Sequence, residues 1–422
     1  MTKKTHHNNI LHILKDKNCL NIFMLGIASG IPIVLILSTL SIWLKEIGTS
    51  KTIIGLFALT TMPYTLKFLW SPLIDGIKIP ILYKKSGMRK SWLIITQISL
   101  FISICLLAIS NPGKHLEITA ICTLLVSFLS ATQDIVIDAY RIEILDRTKQ
   151  GLGATSLVYG YRIGMLISGA GALILAEFIN FMIVYIIIAL CFLLFAIFSY
   201  IIPAPYTDKP ENILTYSDWI KKHVISPFQD FLARTNWLYI LLFIMLFKLG
   251  DAFAGIMTNP FLLELNFSKA DIAIFVKTFG LFATLSGALI GGILCAKYSI
   301  KINLLFAGII QMLTNFIFCL QALVGNSKLM LGFTIGAENL AGGIGTVVFV
   351  AYISNLCNIK YTATQYALLS SLSAVARTWF SSSSGWFSDQ MNWVEFFAFS
   401  AIIAIPGILM IYFLKDTRHN NS

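Results

Sequence analysis

Twelve long apolar segments follow one another along this chain of 422 residues, and they restrict its fold more than any other feature. A helix needs about 20 apolar residues to span a bilayer, where every backbone polar group must be satisfied within the protein. Only 12% of the residues are charged, and the alternating pattern of a membrane β-barrel is absent. The sequence therefore predicts an all-α integral membrane protein whose spans begin near Asn21, Thr52, Ser91, Glu117, Gly153, Phe181, Trp237, Ala270, Asn303, Lys328, Thr362 and Trp393.

The basic residues predict the orientation of these spans. If the N-terminus lies in the cytoplasm, the inner segments hold 21 of the 31 Lys and Arg residues, and the outer loops hold only a few, such as Lys45 and Lys114. This is the positive-inside pattern, and an even number of spans places both termini in the cytoplasm. The net charge of +11 is therefore a topology signal, and no nucleic-acid partner is predicted. No small-residue cleavage site follows the first span, which is expected to be retained.

One long hydrophilic interval divides the spans into two groups of six. We predict a cytoplasmic N-terminus at 1–20, a six-helix bundle at 21–202, a cytoplasmic linker at 203–236, a second six-helix bundle at 237–415 and a cytoplasmic tail at 416–422. Two repeated halves of this kind are typical of major facilitator transporters. The middle of the linker, 218–232, is predicted to form a helix on the inner membrane face.

Small residues and prolines predict local features of the spans. Glycines recur at helix-packing spacing as Gly160 and Gly164 in span five and as Gly287 and Gly291 in span eight. Close helix contact is the preferred interpretation of this spacing, ahead of a role in substrate binding. The same spacing recurs at Gly332 and Gly336 in span ten, and prolines predict kinks at Pro32 and Pro63.

Asp134 and Asp138 are two carboxylates inside a hydrophobic span. A charge at bilayer depth costs roughly 2.5–3.5 kcal/mol, so they are predicted to face a polar interior. Arg162 lies as far from the turn between spans four and five as Asp134 does, which predicts an Asp134–Arg162 ion pair with Asp138 as the alternative partner. Two carboxylates one turn apart favour protonation of one of them. A proton-carrying site and a static ion pair both remain open.

Other ionisable residues fall at membrane depth. Lys248 and Asp251 have the i,i+3 spacing of a local ion pair. Arg377 is a candidate for binding an anionic group, because a guanidinium matches carboxylate or phosphate geometry. No local partner is evident for three further residues, which are candidate cavity walls: Lys67, Glu338 and Asn339.

The segment after the second span predicts a cytoplasmic latch. Asp75 ends that span, and Arg89 and Lys90 begin the next one. An acid at a helix end that faces basic residues is expected to hold the inner gate shut. The seven cysteines are scattered without a CxxC pair, so neither a metal site nor a cofactor is predicted. Phosphate-loop and hydrolase motifs are absent from the sequence, and an enzyme is not predicted.

Five sequence stretches resemble the AmpG muropeptide permeases of the major facilitator superfamily. They are GIASGIP at 26–32, PYTLKFLWSPLID at 63–75, SATQDIVIDAYR at 130–141, GYRIGM at 160–165 and TQYALLSS at 364–371. The resemblance implies a monomeric, proton-driven importer of anhydromuropeptides in the bacterial inner membrane. These cargoes are N-acetylglucosaminyl-anhydromuramyl sugars with or without peptide.

The same resemblance implies a substrate cavity formed by spans one, four, seven and ten. That places Ser29, Gln133 and Asp134 on cavity helices, together with Asp138, Lys248, Asp251 and Glu338. One departure is Ala296-Lys297 after span eight, where an acid often occurs in the superfamily. The alternatives are an AmpG-like paralogue for another anionic metabolite, such as a coenzyme A derivative or a peptide, and a channel or non-transporting receptor.

Overall fold

The computed structural model describes residues 16–205 and 215–414, so the predicted tail and most of the predicted N-terminal segment lie outside the described residues. Within those ranges the chain is almost wholly helical, and eleven helices are long and apolar enough to cross a membrane. They are α1 Lys17–Glu46, α2 Thr52–Leu69, α3 Met88–Ile109, α4 Leu116–Ile144, α5 Arg147–Ala176, α6 Phe181–Ile201, α7 Trp237–Glu264, α8 Ala270–Lys297, α9 Ile300–Val324, α10 Lys328–Leu356 and α12 Trp393–Phe413.

The remaining predicted span is also a helix, but a more polar one. It forms α11 at Thr362–Ser382, which has 21 residues. Its first half is mostly buried, including Thr364 and Gln365, so its polar side chains are covered by other parts of the protein. The twelve predicted helices are therefore all present in the described part of the chain, and α11 differs from the others only in composition.

Several helices are interrupted near residues of functional interest. In α1 the backbone widens into a π-turn at Leu35–Thr39, just after Pro32, whose ring nitrogen cannot donate a hydrogen bond. In α2 tight 3₁₀ turns occur at Phe57–Thr61 and Lys67–Leu69, on either side of Pro63. In α7 the helix is broken at Lys248, between segments Trp237–Leu246 and Leu249–Glu264.

The described residues form two compact units. Among them, unit 1 contains 16–146, 156–205, 215–227 and 357–368, and unit 2 contains 147–155, 228–356 and 369–414. The first turns of α5 are grouped with unit 2, and the beginning of α11 is grouped with unit 1.

Each unit has its own apolar core. In unit 1, Leu35, Leu100 and Val126 pack with Tyr185 and Phe192 of α6. In unit 2 the core is strongly aromatic, and it includes a stacked pair of Phe318 and Phe397 with ring centroids 4.7 Å apart. The offset or edge-on contacts of such rings add to the stabilisation that burial alone provides.

Glycines allow helix backbones to touch in both units, as their spacing predicted. A Cβ atom added to Gly160 of α5 would lie 2.0 Å from the Phe23 carbonyl oxygen of α1, and one at Gly164 would lie 2.2 Å from that of Ile27. In unit 2, Gly287 of α8 makes the equivalent approach to α10, at 2.0 Å from the Leu340 carbonyl oxygen. Only glycine permits these distances.

The linker contains the predicted helix. Residues 216–232 are helical, and 206–214 lie outside the described residues. In unit 1 the Trp219 indole donates a hydrogen bond of 3.2 Å to the Gly76 carbonyl oxygen, and His223 is buried beside it. The linker helix is thus fixed next to Asp75, the acid of the predicted latch.

Candidate transport sites

Asp134 lies half-buried in the middle of α4. The Ser29 hydroxyl of α1 donates a hydrogen bond of 2.6 Å to its Oδ1 atom. The charged group that attracts this carboxylate most strongly is Lys67 of α2, at the start of the second 3₁₀ turn. Two predicted site residues from other helices, Ser29 of α1 and Lys67 of α2, therefore lie near the Asp134 carboxylate of α4.

Arg162 does not belong to that group. The predicted salt bridge with Asp134 is not formed in the described structure, and the Arg162 guanidinium instead donates to the Met165 sulfur at 3.9 Å, one turn along α5. The prediction rested on equal depth in the membrane. Depth fixes the height of a side chain but not the direction in which it leaves its helix, and this direction separates the two residues.

Asp138 has its own partner, Arg141, which the sequence analysis counted only among the basic residues that predict the orientation of the spans. The Arg141 guanidinium lies 3.4 Å from Asp138 Oδ1, and its side chain is fully buried. It also stacks on the Tyr366 ring of α11, 5.4 Å from the centroid. The sequence signal for this pair was the i,i+3 spacing of an acid and a base.

The predicted latch is the most extensive ionic cluster in unit 1. Arg89 Nη2 lies 2.6 Å from Asp75 Oδ1 and 2.6 Å from Glu143 Oε1. The guanidinium also donates to the Ile74 carbonyl oxygen at 3.1 Å. All three side chains are nearly inaccessible, so this cation between two anions is shielded from water and only weakly screened by salt.

The same cluster binds the N-terminus of α11. The backbone N–H and the hydroxyl of Thr364 donate to Asp75 Oδ2 at 2.8 and 2.7 Å, and the N–H of Ala363 donates to Oδ1 at 3.3 Å. The Thr362 hydroxyl donates to Glu143 Oε1 at 2.8 Å. The first N–H groups of a helix lack intrahelical partners and carry a partial positive charge, which makes a carboxylate a favourable cap.

Lys90 is not part of the latch. Its ammonium lies over the Tyr200 ring, 5.8 Å from the centroid. The sequence-based prediction omitted Glu143 and the threonines of α11. Glu143 was detectable as an acid two residues after Arg141 at the end of α4. The threonines lie more than 200 residues away in sequence, and spacing does not reveal such partners.

In unit 2 the break in α7 positions Lys248. Its ammonium donates to the Thr346 hydroxyl of α10 at 2.7 Å. The predicted ion pair with Asp251 is not formed in the described structure, because Lys248 precedes the second segment of α7 and the regular i,i+3 geometry is lost there. The Asp251 Oδ2 atom instead accepts a hydrogen bond of 3.4 Å from Gln311.

Glu338 and Asn339 form a second polar group in unit 2. The Asn339 amide donates to Glu338 Oε2 at 2.9 Å and to the Ile335 carbonyl oxygen at 3.0 Å. Its oxygen accepts from the Thr284 hydroxyl of α8 at 3.0 Å. Arg377 is exposed on α11 and close enough to Lys248 and Asp251 to act on both electrostatically.

Unit 2 contains no acidic counterpart of the latch at Ala296-Lys297, as the sequence indicated. Small residues make close contacts there instead. The Thr155 hydroxyl donates to the Ala288 carbonyl oxygen at 2.8 Å, and Gly151 leaves room for the Cys295 side chain.

Comparison with known proteins identifies the family. The Major Facilitator Superfamily model matches residues 19–380. A protein of Rickettsia conorii named as transporter AmpG 4 is 41% identical over 96% of this chain and 98% of its own length. The chain belongs to the AmpG branch of the major facilitator superfamily. AmpG proteins are membrane transporters, so this chain is a multi-pass transporter of small molecules and not an enzyme.

Other relatives agree with that assignment. The anhydromuropeptide permease of Escherichia coli K12 is 37% identical over 96% of this chain and 82% of its own length. Among solved structures, the proton:xylose symporter XylE superposes with a TM-score of 0.69 at 12% identity, over 96% of this chain and 97% of XylE. The Escherichia coli fucose:proton symporter gives 0.69 at 13% identity, over 97% and 99%. At such low identity these two structures support the AmpG chain's fold alone.

Proposed function

We propose that this protein is a proton-coupled importer of anhydromuropeptides for cell-wall recycling. Its cargo is an N-acetylglucosaminyl-anhydromuramyl sugar with or without peptide. It acts as a monomer in the bacterial inner membrane, with both termini in the cytoplasm. The observation that carries the proposal is the near full-length similarity to a protein named anhydromuropeptide permease.

Asp134 is the proposed proton carrier. Its carboxylate lies at bilayer depth between a hydroxyl donor, Ser29, and an attractive cation, Lys67. Protonation removes the negative charge, and with it the attraction that holds Lys67 toward Asp134. Because a charge in the membrane interior is costly, protonation of Asp134 changes the relative stability of two conformations of unit 1. Asp138 is less suited to the role, since its charge is already opposed by Arg141.

The basic residues of unit 2 are the proposed contacts for anionic parts of the cargo. Lys248 is held by Thr346, and the exposed Arg377 lies near it. Lys248 and Arg377 offer donors to peptide or lactyl carboxylates, while Asp251 and Glu338 offer acceptors to sugar hydroxyls and amides. The Asp75–Arg89–Glu143 latch is the proposed inner gate, which must release the N-terminus of α11 when the cargo leaves.

Transport by purified protein in proteoliposomes tests the proposal. We expect saturable uptake of labelled N-acetylglucosaminyl-anhydromuramyl peptide when the outside is more acidic than the lumen, and loss of accumulation when a protonophore collapses the gradient. Empty liposomes and the Asp134→Asn variant are the controls. Uptake that ignores the gradient would remove the coupling, and no uptake of any anhydromuropeptide would remove the cargo.

A second candidate function is transport of a different anionic metabolite, such as a coenzyme A derivative or a free peptide. One observation favours it: Rickettsia conorii contains relatives numbered AmpG 1 and AmpG 4, which are 32% and 41% identical to this chain. Several copies in one organism are consistent with divided cargoes. Competition of each metabolite class against labelled anhydromuropeptide in the same proteoliposomes distinguishes the two candidates.

A further inference from the structure

A stripe of buried hydroxyl groups leads along α4 to Asp134. The stripe residues precede Asp134 by fifteen, eleven, seven and four positions, and steps of three and four residues keep them on one face of a helix. Each is fully buried, whereas Asp134 is half-buried. The stripe residues are Thr119, Thr123, Ser127 and Ser130.

The two ends of the stripe differ in their hydrogen bonds. At the far end, the Thr119 and Thr123 hydroxyls donate to the carbonyl oxygens of His115 and Thr119, at 3.1 and 2.7 Å. Near Asp134, the hydroxyls of Ser127 and Ser130 have no hydrogen-bond partner within the described residues. The stripe is therefore satisfied by its own helix at one end and unsatisfied at the other.

Two further side chains extend the unsatisfied region. The Tyr64 hydroxyl of α2 neighbours Ser130, but neither oxygen meets the geometry of a hydrogen bond. Gln133 is fully buried, and neither its amide nitrogen nor its amide oxygen has a partner among the described residues. Five polar atoms of four side chains thus lack a well-formed hydrogen bond among the described residues of unit 1, and two of them, on Tyr64 and Ser130, lie beside each other. Leaving one such atom unsatisfied costs about 1–3 kcal/mol, so a group of five requires a ligand.

The burial of these atoms limits what that ligand is. All five are closed off from the protein surface, so a disaccharide or a peptide does not reach them. Buried water typically makes about three hydrogen bonds to polar groups of this kind. Ser130 and Asp134 are one turn apart on the same helix, yet the Ser130 hydroxyl makes no hydrogen bond to the Asp134 carboxylate. One water with two bonds of about 2.8 Å would join them.

We propose that Tyr64, Ser127, Ser130 and Gln133 hold a short chain of water molecules that carries the proton to Asp134 by a route separate from the cargo. This inference rests on the proposed proton coupling. A proton passes along the successive hydrogen bonds of the chain and converts the Asp134 carboxylate to the acid. The reverse step releases the same proton, and no other bond changes. The groups that act electrostatically on Asp134 are Lys67, Asp138 and the phenols of Tyr64 and Tyr161.

Valine and alanine substitutions of Ser130 test the route. Valine fills the space of the water, while alanine leaves room for another water to take its place. We expect Ser130→Val to slow gradient-driven uptake by about tenfold, less than the roughly 10²–10⁴-fold that a positioned acid or base contributes, because only one water of the chain is lost. Ser130→Ala is expected to have a smaller effect. Counterflow, which exchanges cargo without net proton movement, is expected to stay within about twofold of the unsubstituted protein, because the cargo does not use this route.

The matched control is Ser103→Val on α3. Ser103 is equally buried, but its hydroxyl is already satisfied by the Leu100 carbonyl oxygen at 3.1 Å. A loss of gradient-driven uptake in the Ser103 variant, or an equal loss of counterflow in the Ser130 variants, would show that packing is responsible and would overturn the proposal. So would unchanged gradient-driven uptake in Ser130→Val.

A second measurement detects the water without relying on transport. Radiolytic hydroxyl-radical labelling in ¹⁸O water modifies side chains that contact bound water, and we expect buried Tyr64 to be modified in the unsubstituted protein and less so in Ser130→Val. An unmodified Tyr64 overturns the water chain even if uptake is coupled to protons. Conversely, uptake without gradient dependence contradicts the proposed function, while a modified Tyr64 still supports the water site.

Discussion

Asp134 and Asp138 are one turn apart on the same helix, yet their surroundings assign them different tasks. Asp134 receives a single neutral hydrogen bond of 2.6 Å from Ser29 and is half-buried. Asp138 lies 3.4 Å from the fully buried Arg141, so its charge is opposed at close range. A carboxylate without a salt-bridge partner gains more from binding a proton than one that must first release a cation. Asp134 therefore fits the proposed role of proton carrier better than Asp138 does.

Substitution by asparagine separates the two roles. Asp134→Asn cannot exchange a proton, so we expect it to abolish gradient-driven accumulation in proteoliposomes while counterflow continues. Asp138→Asn is expected to remain gradient-dependent but to unfold at a lower temperature in detergent, since a hydrogen bond to a charged group contributes about 1.5–3 kcal/mol. The reverse pattern, with coupling lost in the Asp138 variant and kept in the Asp134 variant, would exchange their roles.

At this scale the sequence predicted which charged residues lie within apolar helices better than it predicted their partners. Buried charge is recognisable from hydropathy alone, and this identified Asp134, Lys67 and Lys248. The partners of these residues depend on the rotation of each helix about its axis and on breaks in the helix. That is why Arg162 faces Met165 and why the break at Lys248 separates it from Asp251.

Among the helices, α11 depends on the latch for its start. Its first turn is capped by Asp75, which follows α2, and by Glu143 of α4. Arg89 forms a salt bridge with each of these two acids. Removing one charge from a buried ionic group is more damaging than replacing the whole group, because the remaining charges stay buried and uncompensated. The proposed inner gate and the start of α11 therefore depend on the same arginine, Arg89.

Arg89→Gln tests that link. The substitution leaves Asp75 and Glu143 buried side by side without their cation, and we expect a loss of about 3–5 kcal/mol in the free energy of unfolding. The measurement is the thermal unfolding midpoint in detergent together with uptake. Lys90→Gln is the control, because it removes the neighbouring positive charge but only a contact with the Tyr200 ring. Equal midpoints for the two variants would contradict a structural role for the latch.

The contact between α1 and α5 gives a prediction about packing. A methyl group at Gly160 would meet the Phe23 carbonyl oxygen at 2.0 Å, so Gly160→Ala must push the two helices apart. We expect it to lower the free energy of unfolding by about 1–3 kcal/mol, the usual cost of overpacking. Gly342→Ala in α10 is the matched control, since nothing lies within 4 Å of its added methyl group. Unfolding midpoints that fall equally in both variants would count against close packing at Gly160.

Element boundaries were largely predictable, since apolar segments of spanning length have few alternative structures in a bilayer. The predicted starts at Thr52, Phe181 and Trp237 are confirmed by the observed helices. The glycine contacts were predictable because glycines four residues apart lie on one face of a helix and permit close packing. The threonine cap of α11 was not, because its hydrogen bonds join segments that are 219 to 289 residues apart.

Across the whole molecule, the polar groups of the two units differ in kind. Unit 1 holds a carboxylate, a hydroxyl stripe and unsatisfied neutral atoms, which suit proton movement. Unit 2 holds side chains of both charges, including Lys248, Asp251 and Glu338, which suit a large polar cargo. We therefore expect the proposed proton coupling to depend mainly on unit 1 and the proposed cargo binding mainly on unit 2. The orientation of the chain in the membrane decides which side the ends of each helix face.

That orientation is testable with single cysteines. After replacement of the seven native cysteines, Lys114→Cys lies in the predicted outer loop between α3 and α4, and Lys84→Cys lies in the predicted inner loop before α3. Both positions are exposed, so a membrane-impermeant maleimide reaches either one when it is on the same side. Because basic residues concentrate in inner loops, we expect Lys114→Cys to react in intact cells and Lys84→Cys only after permeabilisation. The opposite labelling pattern would contradict the predicted orientation and place the start of α4 on the cytoplasmic side.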